Sequence, residues 1–260
     1  MPKPSAFEVI DTLEPAQAAL FLDFDGTLVE IVERPGDVAI CQRNLASLER
    51  LNTMMDGALA IVTGRDVATV DGFLSPFRFA VSGVHGFEAR RPGRDIERIT
   101  ADLDTLERVS QRLARFRDDH EGLLLEHKPA SVSLHYRQRP DLGTKAQEAV
   151  AAAVAGEDGV KVLPGKMVFE VKAHAGDKGS ALDAFMAAAP FRGRIAVFIG
   201  DDVTDEAAFR AVNARGGVSI KVGCGETVAT HRLADPSAVM EWLEAFAGLG
   251  TCTAKLAEEL

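Results

Sequence analysis

Two aspartates one residue apart, at the end of an apolar run, constrain this chain most. Residues 18–22 are all apolar, and Asp23, Asp25 and Gly26 come directly after them. Four to eight apolar residues that end at turn signals are typical of a strand buried in a parallel sheet. Because side chains alternate along a strand, Asp23 and Asp25 leave the backbone on the same side. Two carboxylates at the end of a buried strand are costly unless a cation or hydrogen bonds hold them, so this stretch predicts a site.

Composition narrows the class of partner. The chain has 260 residues, of which 47% are hydrophobic, so it is long enough and apolar enough to bury a large core. Its formal net charge is −10, and it has no long run of lysine and arginine. This balance argues against nucleic acid or an anionic membrane as the main partner. It allows a small anionic substrate, which needs only a local positive pocket.

The spacing of the cysteines and the absence of long apolar segments indicate the cellular compartment of the protein. Cys41, Cys224 and Cys252 lie far apart and show neither zinc spacing nor a disulfide framework, which suits a reducing environment. The first residues contain no apolar signal-peptide core, and no run of 18 apolar residues occurs. We therefore expect a cytoplasmic protein that does not enter a membrane.

The order of predicted elements is that of an α/β fold. Apolar runs that end at turn signals predict core strands, and apolar residues at helical spacing predict the helices between them. Asp66 stands where the second helix would have its N-cap. The strands are predicted over 18–22, 58–62, 79–82, 195–199 and 218–222, and the helices over 41–55, 67–74, 178–186, from 204 onward and over 236–246.

This alternation of strands and helices is interrupted in the middle of the chain. A polar hairpin is predicted over 87–99, around Pro92 and Gly93, and a helix-strand-strand-helix-strand-strand unit follows it. We interpret that unit as an inserted α+β domain over 104–172, between core segments 1–103 and 173–260. Its elements are predicted over 104–116, 123–128, 131–137, 147–155, 160–163 and 167–171.

Several polar groups follow core strands or open the next helix. Open α/β sheets bind their ligands at this edge. Converging carboxylates need a counterion, and all-oxygen ligands suit Mg²⁺. A threonine donates to a phosphoryl oxygen, a lysine provides a compact positive charge, and an aspartate pair supplies a nucleophile and an acid/base group. The groups are Asp23 and Asp25, then Thr63, then Lys178, and then Asp201, Asp202 and Asp205.

Each group also has a plain structural interpretation. Thr63 could simply start a helix, Lys178 could be a solvated surface lysine, and Asp205 suits the dipole of a helix start. The dipole explains Asp205 well, but it does not explain the aspartate pair at the end of the strand before it.

These residues resemble the four motifs of the haloacid dehalogenase (HAD) superfamily. They occur in the family's order, which is far more specific than any one of them alone. The resemblance implies a HAD-like doubly wound parallel sheet, a Rossmann-like core, with an inserted α+β cap domain. The motifs are Asp23-x-Asp25-Gly26-Thr27, Thr63-Gly64, Lys178, and Gly200-Asp201-Asp202-x-Thr204-Asp205.

Further segments resemble the trehalose-6-phosphate phosphatase family within that superfamily. In the core, one such segment is Gly83-Val84-His85-Gly86 followed by Glu88. The other is the fourth motif itself, in the form Gly200-Asp201-Asp202-Val203-Thr204-Asp205-Glu206. In the insert they are Glu126-x-Lys128, His135-Tyr136-Arg137 and Gly165-Lys166-x-x-x-Glu170. The similarity covers about residues 15–246, and the short N-terminus implies a phosphatase that is not fused to a synthase.

The resemblance implies a role for each residue. Asp23 attacks phosphorus, and Asp25 protonates the leaving sugar oxygen and then activates water. Mg²⁺ is held by Asp23, the backbone carbonyl of Asp25, and Asp201, while Asp202 and Asp205 orient metal-bound water or Lys178. Thr63 and Lys178 bind the phosphate. The implied substrate-binding residues are Gly64, Arg65, His85, Glu126, Lys128, Arg137, Lys166 and Glu170.

The resulting expectation is a Mg²⁺-dependent phosphatase that converts trehalose 6-phosphate into trehalose through an aspartyl-phosphate. We expect a monomer whose partner is a small sugar phosphate, with no nucleic acid and no membrane. Three alternatives stay open: a phosphatase of another sugar phosphate, such as sucrose or mannosylglycerate phosphate, a phosphomutase, and a non-catalytic sugar-phosphate sensor. An intact aspartate pair argues against the sensor, which needs no nucleophile.

Overall fold

The fold was analysed in a computed structural model that describes residues 5–32, 38–98, 103–165, 167–173 and 176–249. These residues form two compact units. The first contains the described residues up to Arg98 and from Gly176 onward, and the second contains those between them. Within the described ranges, no helix combines the length and the apolar character that crossing a bilayer requires.

The first unit is an α/β structure. Its strands are β1 (Ala18–Leu22), β2 (Leu59–Val62), β3 (Ala80–Gly83), β4 (Glu88–Arg90), β5 (Glu97–Arg98), β10 (Ile195–Gly200), β11 (Val218–Val222) and β12 (His231–Leu233). Its α-helices are α1 (Gln42–Met54), α2 (Val67–Leu74), α5 (Lys178–Met186), α6 (Glu206–Ala214) and α7 (Pro236–Phe246).

The second unit is inserted between β5 and α5. Its helices are α3 (Leu103–Asp118) and α4 (Gly143–Val154), and its strands are β6 (Leu124–Lys128), β7 (Ser131–His135), β8 (Lys161–Gly165) and β9 (Val168–Lys172). The prediction for α4 began at residue 147, because only the alanine-rich part has clear helical composition. The helix starts one turn earlier, directly after a short 3₁₀ turn over Pro140–Leu142.

The sheet of the first unit has the order β12-β11-β10-β1-β2-β3-β4-β5. The six strands from β12 to β3 are parallel, and β4 and β5 add an antiparallel edge. This arrangement confirms the predicted doubly wound α/β core and the hairpin around Pro92-Gly93. Strand β12 was not predicted, because His231-Arg232-Leu233 is short and has no apolar run.

The position of β1 explains where a ligand can bind. The chain runs from β1 to β2 and β3 on one side, and later returns to place β10, β11 and β12 on the other. The strand order therefore reverses between β1 and β10, and open α/β sheets form their ligand crevice at the carboxyl ends of such strands. Asp23 and Asp201 are the residues that follow these two strands.

The core around β1 is aromatic. All five residues of β1 are buried, and the ring of Phe21 lies 5.4 Å from Phe191 and 6.1 Å from Phe185, measured between centroids. At the far end of the chain, the buried Trp242 donates from Nε1 to the carbonyl oxygen of Ala6 at 2.8 Å. Because β1 is packed this tightly, the residues after it start from a fixed backbone.

The second unit has its own apolar core. Its antiparallel sheet has the order β6-β7-β9-β8. Alternate residues on one face, including Leu125, Val132, Leu134 and Val171, are buried in a cluster with apolar residues of α3 and α4. The other face carries the residues between them, and most of these are polar.

A separate core predicts that the second unit folds by itself. We expect a fragment of residues 99–175 to show mixed helix and strand circular dichroism and to unfold cooperatively in urea, with a slope of about 1 kcal/mol/M. Leu134→Asp in the same fragment should abolish the transition, because it buries an unpaired charge. A wild-type fragment without a cooperative transition would contradict an autonomous second domain.

Candidate active site

The predicted catalytic residues lie at the carboxyl edge of the sheet in the first unit. Asp23 continues from β1 and donates its backbone N–H to the Ile199 carbonyl at 2.9 Å, so its backbone is held by β10. Thr63 follows β2, is buried, and accepts the Arg65 backbone N–H on its hydroxyl at 3.1 Å. Lys178 is the first residue of α5.

A buried chain of ionic contacts forms the centre of the site. Lys178 Nζ lies 2.7 Å from Asp23 Oδ1 and 2.6 Å from Asp205 Oδ1. The side chain of Lys178 is 3% exposed and that of Asp205 is fully buried. Ion pairs so far from solvent are screened little, so each of the three groups depends on the other two.

The start of α5 fixes Lys178. Asp177 is the N-cap, and its carboxylate accepts the Ser180 backbone N–H at 2.8 Å. The Ser180 hydroxyl in turn accepts the Asp177 backbone N–H at 2.9 Å, which completes a capping box. The residue between them, Lys178, is thereby held at the first helical position. The sequence Asp177-x-x-Ser180 carries this signal.

Asp205 is held by the loop after β10. Its Oδ2 accepts the backbone N–H groups of Asp201 and Asp202, at 3.0 and 2.9 Å, while Oδ1 accepts from Lys178. Gly200 makes this possible, because a Cβ there would lie 2.4 Å from Asp205 Cγ. Both carboxylate oxygens of Asp205 are therefore occupied, whereas the Asp202 side chain is exposed.

Burial shifts the titration of these groups. Desolvation raises the pKa of Asp23 to about 6, against the opposing charge of Lys178. Desolvation, reinforced by the charge of Asp23, also raises the pKa of Asp205 to about 6. Burial alone would lower the pKa of Lys178, but the two carboxylates outweigh it and the pKa of Lys178 is raised. Desolvation also raises the pKa of Asp201.

The excess of negative charge suits a cation. Carboxylate oxygens of Asp23, Asp201 and Asp205 lie within 4.8 Å of one another, and Lys178 is the one cation with an ion pair to this cluster among the described residues. Asp201 Oδ1 is buried without a hydrogen-bond partner. A buried carboxylate oxygen without a partner is expected where a metal ion binds. Because Asp205 has no free oxygen, Asp23 and Asp201 are better placed to be ligands.

Gly26 allows Asp201 to approach the first motif. Its φ of +78° lies in the left-handed region that glycine tolerates, and a Cβ at this position would lie 2.2 Å from Asp201 Oδ2. The glycine of Asp23-x-Asp25-Gly26 thus has a second purpose besides the turn. It brings the first and fourth motifs into contact.

Arg65 forms a contact that the sequence did not predict. Its guanidinium donates to both carboxylate oxygens of Asp25, at 2.7 and 2.6 Å, and lies over the rings of Phe24 and Phe73. The pKa of Arg65 is raised, first by its hydrogen bond to Asp25. The predicted substrate-binding residue Arg65 thus contacts the predicted acid/base residue Asp25 directly.

The remaining predicted substrate residues are distributed over both units. Gly64 is exposed after β2, and Arg137 is exposed after β7. Glu126 and Lys128 lie on β6 and Glu170 on β9. Lys166 lies outside the described residues, as does the side chain of His85.

Solved structures with the same fold define the class. The C-terminal domain of trehalose-6-phosphate phosphatase from Candida albicans matches with a TM-score of 0.74 and 25% identity, over 95% of this chain and 98% of that one. Aspergillus fumigatus trehalose-6-phosphate phosphatase matches with a TM-score of 0.73 and 25% identity, over 96% and 100%. The fold of this chain is therefore that of these solved phosphatases.

Sequence comparison gives the family. A probable trehalose-phosphate phosphatase of Sinorhizobium fredii is 42% identical over 207 residues, covering 79% of this chain and 77% of that protein. Trehalose-6-phosphate phosphatase of Escherichia coli is 40% identical over 230 residues, covering 88% and 86%. The sequence model of the trehalose-phosphatase family matches residues 21–239. The chain belongs to the trehalose-phosphatase family.

The ionic centre makes a prediction for Asp205. Asp205→Asn keeps the shape but cannot accept from Lys178 and from two backbone N–H groups together. We expect kcat on an aryl phosphate to fall about 10- to 100-fold, as when a partner that orients a site residue is lost. Asp183→Asn is the control, because Asp183 forms an exposed ion pair with Arg215. Equal kcat values for the two variants would show that Asp205 does not hold Lys178 for catalysis.

Proposed function

We propose that this protein hydrolyses trehalose 6-phosphate to trehalose and inorganic phosphate through an aspartyl-phosphate on Asp23. The family and the named relatives at 40–42% identity support the substrate. The observation that carries the mechanism is the buried contact between Asp23 and Lys178, 2.7 Å long, at the sheet's switch point. The lysine holds Oδ1 of Asp23, and the carboxylate so held is proposed to attack phosphorus.

The first chemical step transfers the phosphoryl group. The oxygen of Asp23 forms a bond to phosphorus as the bond between phosphorus and the sugar oxygen breaks. Asp25 gives its proton to that sugar oxygen, so trehalose leaves as a neutral alcohol. Lys178 and the hydroxyl of Thr63 balance the charge on the phosphoryl oxygens, which is the main catalytic requirement of phosphoryl transfer.

The second step regenerates the enzyme. Asp25, now a carboxylate, takes a proton from water as that water attacks phosphorus, and the bond between phosphorus and Asp23 breaks. Arg65 contributes here, because a guanidinium that donates to both oxygens of Asp25 holds that carboxylate in a fixed orientation. In the first step Asp25 must be protonated, so Arg65 must release at least one oxygen.

The carboxylates suit Mg²⁺. We infer that Asp23, the backbone carbonyl of Asp25, and Asp201 hold it, since Asp201 Oδ1 is buried without a partner. When bound, the ion supplies positive charge that neutralises phosphoryl oxygens and screens Asp23 from the anionic substrate. Asp202 and Asp205 are proposed to orient the groups beside the ion. Asp205 would do so by holding Lys178.

The second unit is proposed to recognise the sugar. Glu126, Lys128 and Glu170 share the polar face of its sheet, where carboxylates and an amine provide acceptors and donors for hydroxyl groups. Arg137 and Lys166 are proposed as weaker candidates for the same face, and Gly64, Arg65 and His85 as further substrate-binding residues of the first unit. We further propose a cytoplasmic monomer. The described cysteines, Cys41 and Cys224, are free thiols, which suits a reducing compartment.

A panel of substrates tests the proposed function. With Mg²⁺ present, we expect kcat/KM for trehalose 6-phosphate to exceed the values for sucrose, mannosylglycerate and glucose phosphates by at least about tenfold, with phosphate release as the measurement. A chelator should abolish the activity and added Mg²⁺ should restore it. Preference for another sugar phosphate would overturn the assigned substrate, and an isomerised sugar phosphate without released phosphate would indicate a mutase.

Asp23→Asn tests the covalent route. An amide is a poor nucleophile, so turnover should fall by more than about 1000-fold, while calorimetric affinity for trehalose 6-phosphate stays within about tenfold of the wild-type value. Asp56→Asn is the control, because the Asp56 side chain is 80% exposed and lies in the loop before β2. Turnover by Asp23→Asn at the rate of the control would exclude Asp23 as the nucleophile.

A further inference from the structure

Three strands of the second unit carry one row of polar residues. Glu126 on β6 is paired with Ser133 on β7, and Ser133 is paired with Glu170 on β9. Residues paired across a sheet share a face, so both glutamates lie on the face opposite the apolar core. Two strand spacings separate their Cα atoms by about 10 Å, which is comparable with the length of a disaccharide.

The central strand β7 supplies a partner to each glutamate. The Ser131 hydroxyl donates to Glu170 Oε1 at 2.7 Å. His135 Nε2 lies 2.9 Å from Glu126 Oε2, and since an ionised carboxylate only accepts, the proton is assigned to Nε2. Ser131 and His135 stand two residues before and two residues after Ser133, so β7 reaches the two glutamates along opposite diagonals.

The second oxygen of each carboxylate faces a lysine at longer range. Lys128 Nζ lies 3.9 Å from Glu126 Oε1, and Lys172 Nζ lies 4.0 Å from Glu170 Oε2. These separations are too long for hydrogen bonds but short enough to balance charge. Each glutamate thus has one oxygen held by β7 and one oxygen placed to accept from a hydroxyl group.

We propose that Ser131 and His135 are positioning residues that fix Glu170 and Glu126 for binding the sugar part of the substrate. The inference rests on the proposed function, in which these glutamates bond sugar hydroxyls. A free glutamate loses side-chain entropy when it is ordered, and a hydrogen bond present before binding removes much of that cost. The gain should fall on affinity, because the residues proposed to bind the phosphate belong to the first unit and Ser131 and His135 to the second.

The burial of Ser131 separates this role from direct contact. Ser131 is only 3% exposed, and its hydroxyl proton is already donated to Glu170. Ser131 therefore acts through Glu170. His135 has a side chain that is 34% exposed, so for this residue the experiment must distinguish contact with the sugar from positioning of Glu126.

Double-mutant cycles test the proposal in the full-length protein. Ser131→Ala and His135→Ala should each raise KM for trehalose 6-phosphate about tenfold, the effect expected for losing one hydrogen bond to a charged group. Values of kcat, and both constants for p-nitrophenyl phosphate, should stay within about twofold of wild type. Ser131→Thr, which keeps the hydroxyl, should restore KM.

The cycle itself gives the decisive comparison. In a Glu170→Ala background, Ser131→Ala should add less than about twofold to KM, and in a Glu126→Ala background His135→Ala should add equally little, because a positioning residue has nothing left to position. Full tenfold increases in those backgrounds would overturn the proposal, since they mean that Ser131 or His135 acts independently of its glutamate.

The opposite face of the same sheet provides a matched control. His127 Nε2 lies 2.7 Å from the Ser110 hydroxyl, which is a similar pair between β6 and α3. His127→Ala should leave KM unchanged even if thermal stability falls. An equal rise in KM for His127→Ala would show that any loss of packing weakens binding and would also overturn the proposal. If wild-type protein does not prefer trehalose 6-phosphate to p-nitrophenyl phosphate, the proposed function fails instead.

Discussion

The candidate active site depends on one buried lysine between two buried aspartates. Lys178 joins Asp23, at the end of β1, to Asp205, at the start of the helix region after β10. If Lys178 were removed, Asp23 and Asp205 would stay buried beside each other without a cation between them, which is far more costly than losing a surface pair. The contact therefore ties the first, third and fourth motifs into one unit and explains why the three occur together.

The same contact fixes the chemistry available. Lys178 lowers the cost of ionising Asp23, yet burial still raises the pKa of that carboxyl to about 6. In the proposed mechanism, a carboxylate in this state suits the nucleophile, because it is ionised at neutral pH but poorly solvated. Asp25 differs, because its side chain is 40% exposed and is held by Arg65 rather than by the lysine. The two aspartates of one motif thus have separate environments, as their separate proposed roles require.

Elements with strong local signals were predicted well. The bounds of β1, α2 and α5 agree with the sequence prediction, because a continuous apolar run, an N-cap aspartate and a capping box each depend on neighbouring residues. Strand β12 was missed, since a short polar edge strand is recognised only through its partner β11. The pairing of Arg65 with Asp25 was also missed, because it depends on how β2 lies beside β1.

The polar face of the second unit could likewise be predicted from the sequence only in part. Alternation along β7 separates Ser131, Ser133 and His135 from the apolar Val132 and Leu134, and this much is visible in the sequence. Which glutamate each of them meets depends on the register with β6 and β9, and no residue of β7 specifies that register alone.

That alternation restricts how the length of β7 can change during evolution. Deleting one residue within the strand would turn Val132 and Leu134 outward and drive the serines and the histidine into the apolar core, so folding and the proposed recognition of the sugar would be lost in one step. Losing two residues would preserve the inward and outward pattern and shift only which donor meets which acid. Relatives with a different sugar preference are therefore expected to differ in this strand by substitutions or by paired insertions and deletions, and single-residue changes in length should be confined to the turns.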